Sequence, residues 1–359
     1  MTIYVDHTHL GRHVTGLERI TLELFSRRAL APLDVVPITA SGTRQMVFRQ
    51  TFGLPLRLAV PSSVLLCPGF PPSPLLWPFA SRVLPYIHDV FLLSRPADLN
   101  LRARLYMVAP FRLALHSYPN FLVNSDDTRK KLSAHCHPDA SITLYRPPVR
   151  NVFGLNASAR ADRRDIGLRL VALGTVEPRK NFVAAARIAD ELRMLGVPNV
   201  TLDIVGRQGW GEDWHALGKL HGVRLHGYLP EDRVRSLLAD ADLFICTSHE
   251  EGLGLPLLEA QYAGLPIVAP DAPIFREVLG ASGIMIDPSD PSASAAKITA
   301  LLSEREWRSR YVSLGVRNLQ RWNALASSDH DTVITMIERL AIDPAPASSR
   351  HRGRRIVEH

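Results

Sequence analysis

Residues 169–181 read RLVALGTVEPRKN, and the order of events within them decides the fold. Arg169–Leu173 is a short apolar run suited to a buried strand. Gly174 then turns the chain, and a helical pattern opens at Asn181 and runs to 195. Downstream the same alternation repeats. Strand-like runs lie at Leu202–Val205, Val223–Leu225, Leu243–Thr247, Ile267–Ala269 and Ile284–Ile286. Helical patterns fit 181–195, 212–220, 231–239, 256–263, 273–279, 291–303 and 304–322. Upstream, strands are read at Ile3–Val5, Val35–Ile38, Val64–Cys67, Val83–Ile87 and Phe121–Asn124. Apolar Leu17, Ile20, Leu24 and Phe25 give a helical stripe with Thr15 as its N-cap, and further helical patterns cover 98–115 and 125–134. Strands alternating with helices predict an α/β protein with parallel sheets covered by helices.

A chain of 359 residues is long enough for two such domains. The prolines Pro147 and Pro148 and the weakly patterned stretch after them predict a linker over 151–165, between domains at 1–150 and 166–325. The Pro/Ala/Ser/Arg-rich tail 343–359 is expected to be disordered. The apolar region Val64–Leu93 is interrupted by six prolines, so no stretch approaches the ~20 apolar residues of a spanning helix. The start, MTIYVDHTH, lacks a basic segment followed by an apolar one; no secretory signal is read and the cytoplasm is expected. Cys67, Cys136 and Cys246 are scattered without a CxxC pair, which points to neither a disulfide framework nor a zinc cage. The adjacent side chains of His135, Cys136 and His137 read as a polar loop, not a metal site.

Charge is placed unevenly. Residues 1–150 hold 17 Lys and Arg against 9 Asp and Glu, whereas the whole chain holds 42 against 35. The first half is therefore basic and the rest nearly neutral. Nucleic acid, an anionic membrane face and a phosphorylated acceptor all suit such a surface, and a solvated arginine-rich face accounts for it equally.

The sharpest chemical signal is TSHEEGLGLPLLEA, residues 247–260. A strand ends at Thr247, a glycine-bearing loop follows, and Pro256 suits the first turn of a helix. Gly252 and Gly254 allow a close backbone approach, and the amides from Gly252 through Leu253 to Leu255 suit anionic oxygens. Glu251 falls at the strand's C-terminal end, where open α/β sheets bind ligands. Glu259, one turn into the helix, suits the paired hydroxyls of a ribose; a capping Glu251 and a solvent-facing Glu259 are the structural alternative. In the second signal, Gly174–Asn181, Arg179 and Lys180 place two cations at a helix start, enough to neutralise a diphosphate without a metal. A third, His226-Gly227-Tyr228, offers backbone groups to a nucleotide base. Two motifs are decoys. Asp240-Ala241-Asp242 has the form of a metal-binding DxD but bridges a helix end and a strand start. Gly206–Gly211 has the wrong glycine spacing for a dinucleotide loop.

In this order these stretches resemble the retaining GT-B glycosyltransferases of family 4, strongly over 168–322 and loosely over the first 150 residues. The resemblance implies two Rossmann-like domains (the GT-B fold) with an interdomain cleft, and a C-terminal helix, 326–342, returning to the first domain. The family's Glu-x7-Glu element matches Glu251 and Glu259, and its Gly-x4-Arg-Lys-Asn element matches Gly174, Arg179, Lys180 and Asn181. By that likeness Arg179 and Lys180 clamp the donor diphosphate and Glu259 binds the ribose, while Glu251 and the amides of 252–255 hold the sugar. In the first half, Thr15 and Gly16 fall where the family's first glycine loop meets diphosphate and acceptor. His88 and Asp89 match a His-Asp pair common in the family, with His88 catalytic beside Glu251, Arg179 and Lys180. Asn124–Thr128 also resembles a family loop, and helix capping accounts for it equally well.

The implied reaction is metal-independent hexosyl transfer, with no cofactor besides the nucleotide-sugar donor. The Glu-Pro-Arg-Lys-Asn sequence is similar to that of members using GDP-mannose; a UDP-hexose donor is the alternative, as is a GT-B epimerase or phosphorylase. The implied acceptor is a glycan on a lipid diphosphate in bacterial polysaccharide assembly, with no nucleic-acid partner. Pro71, Leu75, Leu76, Trp77 and Phe79 read either as an apolar lip touching an anionic membrane or as a buried loop.

Overall fold

A computed structural model describes residues 1–11, 16–94, 108–156 and 167–342. The chain divides into two compact units, Met1–Pro148 with the chain from Leu325 onward, and Val149–Ala324. Thr15 lies outside the described residues, as do 98–107 of the helical pattern at 98–115, the linker beyond Asn156 and the tail from 343.

The first unit holds six strands: β1 (Thr2–His7), β2 (Val35–Thr39), β3 (Ser63–Cys67), β4 (Val83–Ile87), β5 (Asn120–Val123) and β6 (Ser141–Leu144). Their order is β2-β1-β3-β4-β5-β6, and every pairing is parallel. The central strands β3 and β4 are buried along their whole length, which is why they appear in the sequence as continuous apolar runs. Leu65, Val83, Phe111, Leu115 and Phe121 belong to one core.

The second unit holds β7 (Arg169–Leu173), β8 (Thr201–Val205), β9 (Val223–Gly227), β10 (Leu243–Ile245), β11 (Ile267–Pro270) and β12 (Gly283–Ile286). The order is β12-β11-β10-β7-β8-β9, again parallel throughout. The chain builds outward from β7 on one side, then returns to lay β10 on the other. The topological switch therefore falls between β7 and β10, and ligands of open α/β sheets bind beyond the strand ends at such a switch.

Three features depart from the sequence reading. The helical patterns expected as separate segments near 304–322 and 326–342 are one continuous helix, Trp307–Ile342. Its residues through Ala324 belong to the second unit, and those from Leu325 to the first. Trp322 is fully buried on it. A helical stretch, Thr43–Phe48, Arg49–Gly53 and Leu54–Leu58, connects β2 to β3 where no element is expected. The proline-rich 74–82, read as part of an apolar lip or a buried loop, is a kinked 3₁₀ segment. Among the described residues no helix is long and apolar enough to cross a membrane.

Candidate active site

Two loops leave the sheet at the switch point, one after β7 and one after β10, and they are joined by their backbones. The His249 amide donates to the Arg179 carbonyl at 2.9 Å. The Thr247 hydroxyl donates to the Asn181 carbonyl at 2.8 Å and to that of Lys180 at 3.3 Å. Arg179 and Lys180 sit on a single 3₁₀ turn, Pro178–Lys180, rather than inside the following helix. Asn181 takes a left-handed conformation (φ 51°, ψ 40°), and the helix Phe182–Met194 begins after it. Asparagine tolerates that region better than most residues. The turn aims both cations at the β10 loop.

There they meet Glu251. Lys180 Nζ donates to Glu251 Oε1 at 2.5 Å, and Arg179 Nη1 to Oε2 at 3.2 Å. The Ser248 hydroxyl donates to Oε1 at 2.8 Å. Arg179 is held from behind: Nε and Nη2 reach Glu177 Oε1 at 3.1 and 2.9 Å, and Nη1 reaches the Glu250 carbonyl at 2.9 Å. The side chains of Glu251 and Lys180 are only 10 % and 14 % exposed, so this is a low-dielectric cluster of two cations and two carboxylates. Burial alone would raise the Glu251 carboxyl. The charges of Lys180 and Arg179 and the hydrogen bonds from Lys180 and Ser248 outweigh it, holding the pKa below its ordinary 4.5. Burial first, and the Glu251 charge second, raise the neighbouring Cys246 thiol, which keeps it protonated and unreactive.

The remaining donor-side candidates lie along the same strand ends. Gly254 precedes the helix Leu255–Tyr262 with φ 79°, a conformation suited to glycine. Leu253, Leu255 and Glu259 are buried, and Gly252 is half-buried. Gly174, Gly206 and Gly227 form a row across β7, β8 and β9. The Gly174 amide donates to the Val205 carbonyl and the Gly206 amide to that of Gly227, both at 2.9 Å. Gly227 has φ 68°, and Tyr228 beyond it is exposed under the Arg207 guanidinium, 4.8 Å from its ring centroid. His226 Nε2 lies 2.6 Å from Asp203.

In the first unit, His88 follows β4 directly. Its Nε2 is 2.7 Å from the Pro68 carbonyl; a carbonyl only accepts, so Nε2 carries the proton. The ring stands edge-on to Tyr86, with centroids 4.7 Å apart. Burial lowers its pKa from 6.5, against smaller raising effects of the Pro68 hydrogen bond and the Asp89 charge. Asp89 accepts from the Phe91 amide at 3.0 Å, so its carboxylate caps the turn that follows. Gly16 opens the helix Gly16–Phe25.

The decoys resolve locally. Asp242 accepts from the Arg169 amide at 2.8 Å and from Arg308 at 2.9 Å, the structural boundary role expected of it. A cavity of about 420 Å³ lined by Arg169, Thr201, Asp203, Asp240 and Asp242 lies at the opposite, N-terminal edge of the second sheet. Among the described residues no cluster of three or more His, Cys, Asp or Glu side chains is arranged to hold a metal ion. Sequence reading missed Glu177, Ser248 and Thr247. Each matters through the 3₁₀ turn and the joined loops, which leave no spacing signature.

Residues 162–315 match the family described as "Glycosyl transferases group 1". Over 156 residues the chain is 33 % identical to O-antigen chain mannosyltransferase B of Escherichia coli, a match covering 42 % of this chain and 41 % of that protein. The chain thus spans about two-fifths of the length of that curated relative. Among solved structures, a sucrose-phosphate synthase from Thermosynechococcus elongatus superposes with a TM-score of 0.71 at 14 % identity, covering 93 % of this chain and 98 % of that one. WaaG, a glycosyltransferase involved in lipopolysaccharide biosynthesis, gives 0.65 at 15 % identity, covering 94 % and 99 %. At such identities the likeness speaks for the fold: two parallel six-stranded sheets with flanking helices, as in GT-B glycosyltransferases.

Proposed function

Since residues 162–315 carry a domain of the glycosyl transferases group 1 family, we propose that the chain moves a hexosyl group from a nucleoside diphosphate sugar to a glycan acceptor, with retention and without a metal ion. The observation that carries this reading is the convergence of Lys180 and Arg179 on Glu251 at the β7/β10 switch point. In the reaction the bond between the anomeric carbon and the diphosphate oxygen breaks, and a bond to the acceptor oxygen forms on the same face. The acceptor's proton passes to the departing phosphate. Negative charge grows on the diphosphate, and two preorganised cations at a water-poor site oppose it more strongly than water does. A donor diphosphate competes with Glu251 for the Lys180 ammonium, leaving the Glu251 carboxylate to the hydroxyls of the sugar. Glu259 takes the ribose, and Gly227 and Tyr228 the base.

The donor we favour is GDP-mannose, supported by the similarity to an Escherichia coli protein named as a mannosyltransferase. The acceptor we favour is a lipid-linked glycan in bacterial polysaccharide assembly, at the cytoplasmic face of the membrane. Thermal-shift screening tests the donor, because a ligand at about 100 times its Kd stabilises the fold by about 2.7 kcal/mol. A UDP-hexose giving the larger shift overturns GDP-mannose. Lys180→Ala and Glu251→Ala are each expected to cut transfer at least ~100-fold, the scale of losing one charge partner in the transition state. Near-normal turnover in either variant sinks its assigned role, and loss of activity in EDTA sinks metal independence.

A further inference from the structure

The helical stretch between β2 and β3 has a mostly apolar buried face and, opposite it, a second apolar face where a surface helix is polar. Met46, Gln50, Leu54 and Leu58 are buried against the first unit, at a spacing of four. Two residues away in each case, and so on the opposite side, Phe48, Phe52 and Leu56 are 62 %, 51 % and 73 % exposed. That side normally carries polar residues. The stripe is also kept straight. Four residues overshoot one turn of α-helix and fall short of one π turn, and here a π segment, Arg49–Gly53, sits between α-helical Thr43–Phe48 and Leu54–Leu58. The two drifts oppose each other, and the Phe48 and Phe52 rings stand 5.7 Å apart.

The adjoining segment extends the surface. Arg82 of the 3₁₀ segment donates to the Leu58 carbonyl at 2.7 Å and to that of Val60 at 3.0 Å. Of the lip read in the sequence, Leu76 is fully buried, while Leu75 and Trp77 are exposed like Val60. The charge along this part of the chain has one sign. From Val35 to His88 the sequence contains no Asp or Glu and four arginines, Arg44, Arg49, Arg57 and Arg82. Arg49, Arg57 and Arg82 bond to backbone carbonyls, which leaves their charge in place. Among the described residues none of the four forms an ion pair with a carboxylate.

We propose that this face docks on an anionic lipid bilayer, with Phe48, Phe52, Leu56 and Trp77 entering the headgroup region and the arginines meeting lipid phosphates. Aromatic and leucine side chains beside arginine, with acid absent, match the two attractions a bilayer surface offers. A second copy of the chain fits poorly, because a two-fold contact through this stripe would set four arginines against four. The surface neither uses nor requires the donor site, and the two proposals stand or fall separately.

The test is flotation of the full chain with vesicles of phosphatidylcholine alone or with about one-third phosphatidylglycerol. Binding at least ~10-fold tighter to the anionic vesicles and weakened by salt is expected. The triple substitution Phe48→Ser, Phe52→Ser and Leu56→Ser should lower it at least ~10-fold at unchanged melting temperature, since these side chains lie in water. If that protein fails to fold, Arg44→Glu, a single change at an exposed position, should still weaken binding several-fold. No preference for anionic vesicles, full binding by a folded variant, or a dimer dissolved by the triple substitution overturns the proposal. None of these readings involves sugar transfer.

Discussion

Arg179 and Lys180 are neighbours in sequence but differ in how they are held. Three nitrogens of Arg179 are engaged by Glu177, the Glu250 carbonyl and Glu251, so the planar guanidinium is a brace. Lys180 reaches Glu251 through one flexible stem, which suits a cation that changes partner. Glu177 is then a positioning residue for Arg179. Replacing it in Glu177→Gln keeps the shape and removes the charge that anchors the brace. A charged hydrogen bond of ~1.5 kcal/mol corresponds to about a tenfold effect, expected mainly as a higher KM for the donor with a smaller change in kcat. Steady-state kinetics with unchanged donor KM would remove Glu177 from this role.

Most strands were legible because buried parallel strands are written as unbroken apolar runs. Val83–Ile87 and Arg169–Leu173 fall where the pattern puts them. Strand β6 was not, since SITL is short, half polar and partly exposed at the sheet edge. The stretch 43–58 escaped because its outward face is apolar, which erases the contrast that periodicity depends on. The site was legible in its charged residues, whose loops follow strand ends, and not in Glu177 or Ser248, whose roles depend on the 3₁₀ turn. The glycine row offers a test at this level. A Cβ on Gly206 would stand 1.9 Å from the Gly174 carbonyl oxygen, a backbone atom that cannot yield without moving β7 from β8. Gly206→Ala should therefore destabilise by more than ~3 kcal/mol. A Cβ on Gly227 meets nothing within 4 Å, leaving only the left-handed conformation, worth ~1–2 kcal/mol. Denaturant midpoints that fail to rank Gly206→Ala well below Gly227→Ala would contradict the tight packing.

For the molecule as a whole, two buried imidazoles bear on acid stability. Burial lowers both His7 and His88 from 6.5. The folded chain then binds protons less readily than the unfolded one, so stability present above about pH 6.5 is lost as pH falls through that value. Glu251, lowered from 4.5, adds a loss in the same direction at lower pH, whereas burial raises Asp6 above 3.8 and opposes it. The melting temperature should fall between about pH 7 and pH 5.5, with a shallower slope in His7→Asn; an identical slope would clear His7. The joined loops after β7 and β10 have a further consequence. Each partner found for Lys180 and Glu251 resides in Val149–Ala324, the unit that holds the family match at 162–315. On the function proposed above, recombination within Met1–Pro148 would alter what receives the sugar while the machinery that grips the donor is inherited intact.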